Sequence, residues 1–400
     1  MLRRRITVMA VVVACAISIG VHAQGRGVAS LEKKLIEYGW DVPTPDFIRT
    51  HIQEMEQRPF DGLIFKLKAG GNVLEPTAMP EESFAEDYEN VRNIPWNKFT
   101  DNFAIMWAAS AQDWFDDSHW QAIESNVRLV TRAARLGRCV GICFDPEPYG
   151  KNPWSYQEVV HRDAKSFIDY DAKAKERGGR FVRAIQQEMP WAKILMFYQM
   201  GLFAEFCVPM SPETRAERLA QHDYALFPAF LEGMLTHAGA GVMLIDGNEP
   251  AYYYTDRNQY FDAYHTITQR GRYLFPAELQ ERYRAHVQAG QALYIDQYFG
   301  LRTNKTPGRY MTPEERPKWF EHNVYWALHT ADQYVWCYSE RMNWWTNTDV
   351  PPGCEDAIRA ARDKIASGQP LDFDLAPIIE AARTREREEQ ATPPEPATAP

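Results

Sequence analysis

The chain has 400 residues, of which 45% are hydrophobic, and its 54 acidic and 44 basic side chains give a net charge of −10. This length and composition allow one large hydrophobic core. An acidic chain is a poor match for nucleic acid or for an anionic membrane surface. The composition therefore argues against both as partners.

The first 23 residues have the pattern of a secretory signal peptide. Residues 3–5 are arginines, residues 6–20 form an apolar run, and residues 21–23 are a small-x-small cleavage pattern. A membrane anchor needs about 20 apolar residues, and this run is shorter. We therefore expect export to the periplasm or beyond the cell, no membrane association after cleavage, and a mature charge of −13, since three arginines and no acid are removed.

The cysteines give little sign of a disulfide framework. Five remain after loss of Cys15, they are scattered, and none forms a CxxC pair. We expect most of them to be buried free thiols. A Cys337–Cys354 disulfide is the alternative in an oxidising compartment.

After a linker at residues 24–31, one unit recurs along the chain: a short apolar strand, a loop and an amphipathic helix. The predicted strands are residues 34–41, 61–67, 102–107, 139–145, 193–199, 241–246, 291–296 and 333–340. The predicted helices are residues 45–57, 118–136, 165–189, 224–237, 257–289, 313–331 and 355–366. Residues 384–400 are charged and then proline-rich, which predicts a disordered tail.

Eight such units predict an α/β fold, a (β/α)8 TIM barrel that forms a single domain over residues 32–383 with long βα loops. Mostly apolar strands agree, because a parallel barrel is covered on both faces. The alternative is a doubly wound open sheet. It would be expected to carry a glycine-rich turn, and neither GxGxxG nor GxxxxGK[ST] occurs.

The active sites of such barrels lie at the C-terminal ends of the strands. Five of the eight predicted strand ends carry acids, and carboxylates that lie close together destabilise a fold and raise pKa values. The rim is therefore a candidate site. The candidate catalytic residues are Asp145, Glu147, Asp246, Asp296 and Glu340. The candidate substrate-binding residues are Asp41, Lys66, Lys68, Trp107, Tyr149, Tyr198, Gln199, Glu249, Tyr338 and Trp344.

The fourth strand carries the sharpest signal. Asp145 and Glu147 are two positions apart, so their side chains share one face of the strand. The alternative is an Asp-Pro turn with solvated acids. In the functional interpretation Glu147 is the proton donor, because the charge of Asp145 raises its pKa. Its partner is Glu340, or else Asp246 or Asp296.

Aromatic loops follow several strand ends, at residues 114–117, 149–156, 252–254, 298–299 and 343–345. As a set they predict a carbohydrate cleft, although any one of them is explained by loop packing. Lys66 and Lys68 are candidates to bind a uronate or sulfate group, or else they balance the rim carboxylates.

Residues 34–366 resemble the (β/α)8 glycoside hydrolases as a group. Within them, residues 144–147 (FDPE) resemble the Asp-x-Glu ending of strand four in the chitinase and endo-β-N-acetylglucosaminidase type. The resemblance implies that Glu147 is a proton donor and that Asp145 orients a substrate acetamide that acts as the nucleophile. The longer DxxDxDxE run is absent, and strand seven offers Asp296 in place of the glutamate of the larger retaining clan.

The sequence thus predicts an exported glycoside hydrolase that acts on a polysaccharide or glycoconjugate, with a carbohydrate as its partner. No cofactor or metal is expected, since HxH, HExxH and GxSxG are absent. The alternative is a non-catalytic glycan-binding barrel. A weaker one is a polysaccharide lyase or sugar epimerase.

Overall fold

The computed structural model describes residues 32–108, 113–302 and 307–391. The predicted signal peptide and most of the linker lie outside these residues, as do residues 392–400 of the predicted tail. Among the described residues, no helix combines the length and the apolar character needed to cross a membrane.

Nine strands form one sheet in which every neighbouring pair is parallel. They are β1 Lys34–Gly39, β2 Gly62–Phe65, β3 Phe103–Trp107, β4 Gly141–Asp145, β5 Lys193–Met196, β6 Met243–Asp246, β7 Val287–Ala289, β8 Gln291–Tyr294 and β9 Tyr334–Ser339.

The strand order is β7-β6-β5-β4-β3-β2-β1-β9-β8, and its two ends are halves of one extended segment. Gly290 alone separates β7, which pairs with β6, from β8, which pairs with β9. A Cβ at this position would lie 2.8 Å from the carbonyl oxygen of Asp246, so only glycine fits. The eight predicted strands therefore close into a barrel, and the predicted TIM-barrel fold is confirmed.

Helices lie between the strands, as βαβ crossovers require. The α-helices are α1 Pro45–Met55, α2 Ala85–Arg92, α3 Asp117–Leu136, α4 Phe167–Glu188, α5 Pro212–Leu219, α6 Phe227–His237, α7 Arg257–His265, α8 Gln280–His286, α9 Ile295–Phe299, α10 Pro307–Tyr310, α11 Glu315–Thr330, α12 Cys354–Ala366 and α13 Ala376–Ala391. Short 3-10 helices are Glu81–Phe84, Tyr156–Glu158, Met200–Phe206, Glu249–Tyr253, Gly271–Leu274 and Ala277–Leu279, and Thr266–Arg270 is a π-helix.

Two predictions of local structure, one of a helix and one of disorder, were wrong in part. The helix predicted over residues 257–289 is broken into α7, the π-helix, short 3-10 turns and α8, and it ends in β7. Residues 384–391 were expected to be disordered but continue α13. This helix is held by the buried side chains of Ile379 and Ala382 and by an ion pair between Arg385 and Glu315.

The interior of the barrel is layered. Near its N-terminal end, Tyr334 donates to Asp101, and Lys34 lies 3.8 Å from the same carboxylate. Higher up, aromatic rings from opposite sides of the barrel meet, since Tyr38 on β1 and Trp336 on β9 both pack on Phe197, the residue after β5, at 4.8 and 4.2 Å. The barrel is therefore closed below its C-terminal rim, and any ligand must bind at that rim.

All five cysteines among the described residues are buried free thiols, as expected for most of them.

Candidate active site at the C-terminal rim

The loops after β4, β5 and β6 enclose a cavity of about 320 Å³, which we call the rim cavity. Its walls combine two carboxyl groups with aromatic and aliphatic side chains. The lining residues are Glu147, Tyr198, Leu202, Tyr224, Glu249, Pro250 and Tyr253.

Asp145, the last residue of β4, is completely buried. Burial raises the pKa of its carboxyl to about 8, and the nearby charges of Glu147 and Glu249 act in the same direction. Its Oδ1 accepts the peptide N–H of Glu147 at 2.9 Å, which fixes the turn beyond the strand. Asp145 is therefore protonated at neutral pH.

Tyr149 bridges the two acids of this loop. Its hydroxyl lies 2.9 Å from Asp145 Oδ2 and 2.9 Å from Glu147 Oε2. One hydroxyl carries one proton, so it cannot donate to both carboxyl groups. When Asp145 is protonated it donates to Tyr149, and Tyr149 donates to Glu147.

Glu249 begins the 3-10 helix after β6 and faces the same cavity. Its peptide N–H donates to the carbonyl of Phe197 at 2.9 Å, and Asn248 before it has a left-handed backbone that asparagine tolerates. Burial and the charge of Glu147 together raise the pKa of the Glu249 carboxyl to about 7. Two carboxyl groups on different strands thus influence each other across one cavity.

The aromatic walls are held in place by hydrogen bonds and exposed in part. Tyr198 is buried and its hydroxyl lies 3.0 Å from that of Tyr224. Tyr253 is 60% exposed. Tyr224 and Leu202 were not predicted as site residues, because each follows its strand by several residues and carries no local signal. Tyr253 was part of a predicted aromatic loop.

Two predicted catalytic aspartates are engaged elsewhere. The buried carboxylate of Asp246 accepts the peptide N–H groups of Gln199, Gly201 and Asn248 at 3.2, 3.0 and 3.0 Å. The buried carboxylate of Asp296 accepts those of Glu340 and Arg341 at 2.8 and 2.9 Å. Both groups hold the loops that carry the rim.

Glu340 lies in a separate polar cluster after β9. Its Oε1 accepts from the hydroxyls of Tyr294 and Tyr338, at 2.9 and 3.3 Å, and pairs with Arg302 at 3.3 Å. Its side chain is 9% exposed, and its Oε2 is buried without a partner. The charges of this cluster act on the pKa of Tyr253, which lines the rim cavity: Glu340 raises it and Arg302 lowers it.

Lys66 follows β2, and Trp107 is the last residue of β3. Ile64 pairs with Phe103 in register, so both side chains follow the inward-facing positions of their strands and reach the mouth half-buried.

The remaining predicted residues lie away from the rim cavity. Lys68 pairs with Asp46 and Glu86 on the outer helices. Asp41 accepts the peptide N–H of the buried Trp344 at 2.8 Å.

Gln199 is fully buried, and both polar atoms of its amide lack a partner.

Among the described residues, no group of three or more His, Cys, Asp and Glu side chains is arranged to hold a metal ion. The chain matches no protein-family model and no curated protein.

Two solved structures are similar over most of their length. One is active domain 2 of a thermostable chitinase from Pyrococcus furiosus, solved as catalytic-site mutants with chito-oligosaccharides. It has 10% identity and a TM-score of 0.39, and the match covers 86% of this chain and 98% of that one. The other is a putative sugar phosphate isomerase/epimerase from Anabaena variabilis, with 12% identity, a TM-score of 0.39, and coverage of 90% and 99%. At these values the likeness carries no functional information, and we take the function from the site.

Proposed function

We propose that this protein is a glycoside hydrolase in which Glu249 donates a proton and Glu147 acts as the partner carboxylate. The observation that carries this proposal is the pair of carboxyl groups on one cavity in unlike environments. Glu249 is largely buried and its pKa is raised to about 7, whereas Glu147 is exposed and accepts a hydrogen bond from Tyr149. Groups whose environments differ in this way supply the acid and the base of such a reaction.

The chemistry follows from these roles. Glu249 transfers its proton to the glycosidic oxygen as the bond from that oxygen to the anomeric carbon breaks. Glu147 either bonds to that carbon and is later displaced by water, whose proton goes to Glu249, or takes the proton of a water that attacks the carbon directly. Water completes the reaction, which leaves a new reducing end. The rings of Tyr224 and Tyr253 offer apolar faces to the C–H faces of sugar rings.

The chitinase-type resemblance implies that Glu147 is the proton donor. The proposed assignment gives that role to Glu249 and makes Glu147 the partner carboxylate. In the proposed assignment, Tyr149 bridges the protonated Asp145 and Glu147 and donates its hydrogen bond to Glu147. In the assignment that the resemblance implies, Glu147 is the donor and a substrate acetamide is the nucleophile. The two assignments differ in what happens to substrates whose leaving group needs no proton.

Dinitrophenyl glycosides and the corresponding unactivated oligosaccharides separate the two glutamates. Glu249→Gln should lose roughly 100-fold or more in kcat on oligosaccharides, because a proton donor contributes about that much, and should keep most of its activity on dinitrophenyl glycosides. Glu147→Gln should lose activity on both. Glu124→Gln is the control and should leave both activities unchanged, since its carboxylate pairs with Arg180 between α3 and α4 and does not line the rim cavity.

The proposal fails if both variants retain wild-type activity on every substrate that the wild type cleaves. If Glu147→Gln alone keeps activity on dinitrophenyl glycosides, the roles are those of the chitinase type. If the wild type binds glycans and cleaves none, the protein is a glycan-binding barrel. Unsaturated or isomerised sugars in place of new reducing ends would identify a lyase or an epimerase.

Export is the second part of this proposal and rests on the residues of the N-terminus. Expression of the full chain in a bacterium, followed by N-terminal sequencing of the periplasmic fraction, should give Gln24 as the first residue. A cytoplasmic chain that starts at Met1 would contradict it.

A further inference from the structure

A second cavity, which we call the side cavity, lies in the loops after β8 and β9 and has a volume of about 500 Å³. Its walls are apolar, and three charged side chains face it. The residues that matter here are Phe299, Leu301, Arg316, Arg341, Asp349 and Pro351.

The two arginines are held in place without being neutralised. Arg316, in the first turn of α11, donates from Nε to the carbonyl of Gly308 at 2.9 Å, which leaves its terminal nitrogens available. Arg341 is anchored by its peptide N–H on Asp296, and its guanidinium lies over the ring of Trp40 at 5.9 Å. Within the described ranges neither side chain forms an ion pair, in contrast to Arg302 with Glu340.

Residues of the side cavity are next in sequence to a polar cluster that acts on the rim cavity. Leu301 and Arg341 line the side cavity, and their neighbours Arg302 and Glu340 form the ion pair whose charges act on the pKa of Tyr253. Tyr253 lines the rim cavity. A glycan shared by the two cavities would pass this cluster. Trp40, which is 66% exposed, supplies a ring beside Arg341.

We propose that the side cavity is a subsite for a sugar unit that carries a carboxylate or a sulfate, within the same glycan that the rim cavity holds. The inference rests on the proposed function. A planar guanidinium presents parallel N–H donors that match the oxygens of either anion, and one that is already held loses less freedom on binding. Asp349 accepts from sugar hydroxyls and sets a repulsive charge against the anion, so it limits how tightly the unit is held.

Binding of small probes tests the subsite independently of hydrolysis. Glucuronate and glucose 6-sulfate are titrated into the wild-type protein against glucose, with protein NMR shifts as the readout. We expect at least one of the two anions to bind at least tenfold more tightly than glucose. Arg316→Gln and Arg341→Gln should each weaken the binding of that anion by roughly tenfold, the loss typical of one charge-assisted hydrogen bond.

Two control variants separate local recognition from general charge. Arg135→Gln removes the same charge from α3, where Arg135 pairs with Glu188, and should leave the affinity unchanged. Asp349→Asn removes the opposing carboxylate and should strengthen anion binding severalfold. Asparagine also tolerates the left-handed backbone of this position, at a φ of 54°.

Equal affinities for glucose and both anions would overturn the subsite, as would an affinity that falls equally in Arg135→Gln. Anion binding that depends on Arg316 and Arg341, without hydrolysis of any glycan, would leave the subsite standing and remove the proposed function. If the wild type hydrolyses acidic and neutral glycans with equal KM, the proposed function would stand and the subsite would be ruled out.

Discussion

Asp246 and Glu249 lie three residues apart on the same rim, yet their carboxyl groups are used in opposite ways. Asp246 accepts three peptide N–H groups and is closed off from solvent. Glu249 faces a cavity and another acid. Asp296 and Glu147 repeat the contrast on other strands. An acid at a strand end of this barrel therefore either holds the loops through their peptide N–H groups or faces the rim cavity, and its hydrogen-bond partners distinguish the two cases.

The largest effect is expected when a carboxylate that holds the loops is removed. Asp246→Ala leaves three buried N–H donors without an acceptor and should lower the free energy of unfolding by about 3–5 kcal/mol. Glu249→Ala should change it by less than about 1 kcal/mol, because it removes a carboxyl whose burial already opposes its charge. Urea unfolding followed by circular dichroism measures both. An equal loss of unfolding free energy in the two variants would mean that the two acids do not differ in how much they stabilise the fold.

The next prediction concerns how stability depends on pH through the two acids with raised pKa values. The pKa values of Asp145 and Glu249 are raised in the folded protein to about 8 and about 7. The folded state therefore holds these protons more tightly than the unfolded chain, whose carboxyl pKa is about 4. Their contribution to stability is complete below pH 4 and is lost as the pH rises to about 8.

Asp145→Asn tests that window. The variant should lose less stability than the wild type between pH 5 and pH 8, by an amount on the order of a few kcal/mol. Thermal unfolding at several pH values measures the difference. Parallel curves for the two proteins would mean that Asp145 is not protonated at neutral pH.

Tyr149→Phe tests the hydroxyl that bridges Glu147 and the buried Asp145. Removing the hydroxyl leaves Glu147 without its donor, and kcat should fall by roughly 10- to 100-fold with a smaller change in KM. The alkaline limb of the pH–rate profile, set by Glu249, should stay near pH 7. Tyr156→Phe is the control, since its hydroxyl bonds the carbonyl of Lys165 outside the cavity. Equal rates in both variants would contradict the bridge.

The smallest effect is expected at Lys68. Its two ion pairs, with Asp46 and Glu86 at 3.0 and 2.8 Å, are largely exposed. Lys68→Gln should cost less than about 1 kcal/mol and leave activity unchanged, as is typical of surface pairs. A measurable change in KM would place this side chain at the substrate.

The barrel and the position of its site follow from local patterns. Apolar strands that alternate with helices predict the architecture, and Asp145 and Glu147 mark the rim because strand parity is set by the sequence. A sequence does not show which carboxylates accept hydrogen bonds from peptide N–H groups. The acids that hold the loops, Asp246 and Asp296, therefore could not be told apart from Glu249, which faces the rim cavity. Tyr224 reaches the cavity from the residues before α6, a position that depends on packing.

Gly290 divides one extended segment between two partners. Residues 287–289 have three register pairs with β6 and residues 291–294 have four with β9, so this one segment ties the two ends of the sheet together. Shorter ladders flank β2, which has two register pairs with β1 and two with β3. Fewer ladder hydrogen bonds lower the free energy of local opening. Amide protons of β2 should therefore exchange with deuterium before those of residues 287–294, so the barrel wall opens first at β2 and not at the point where it closes.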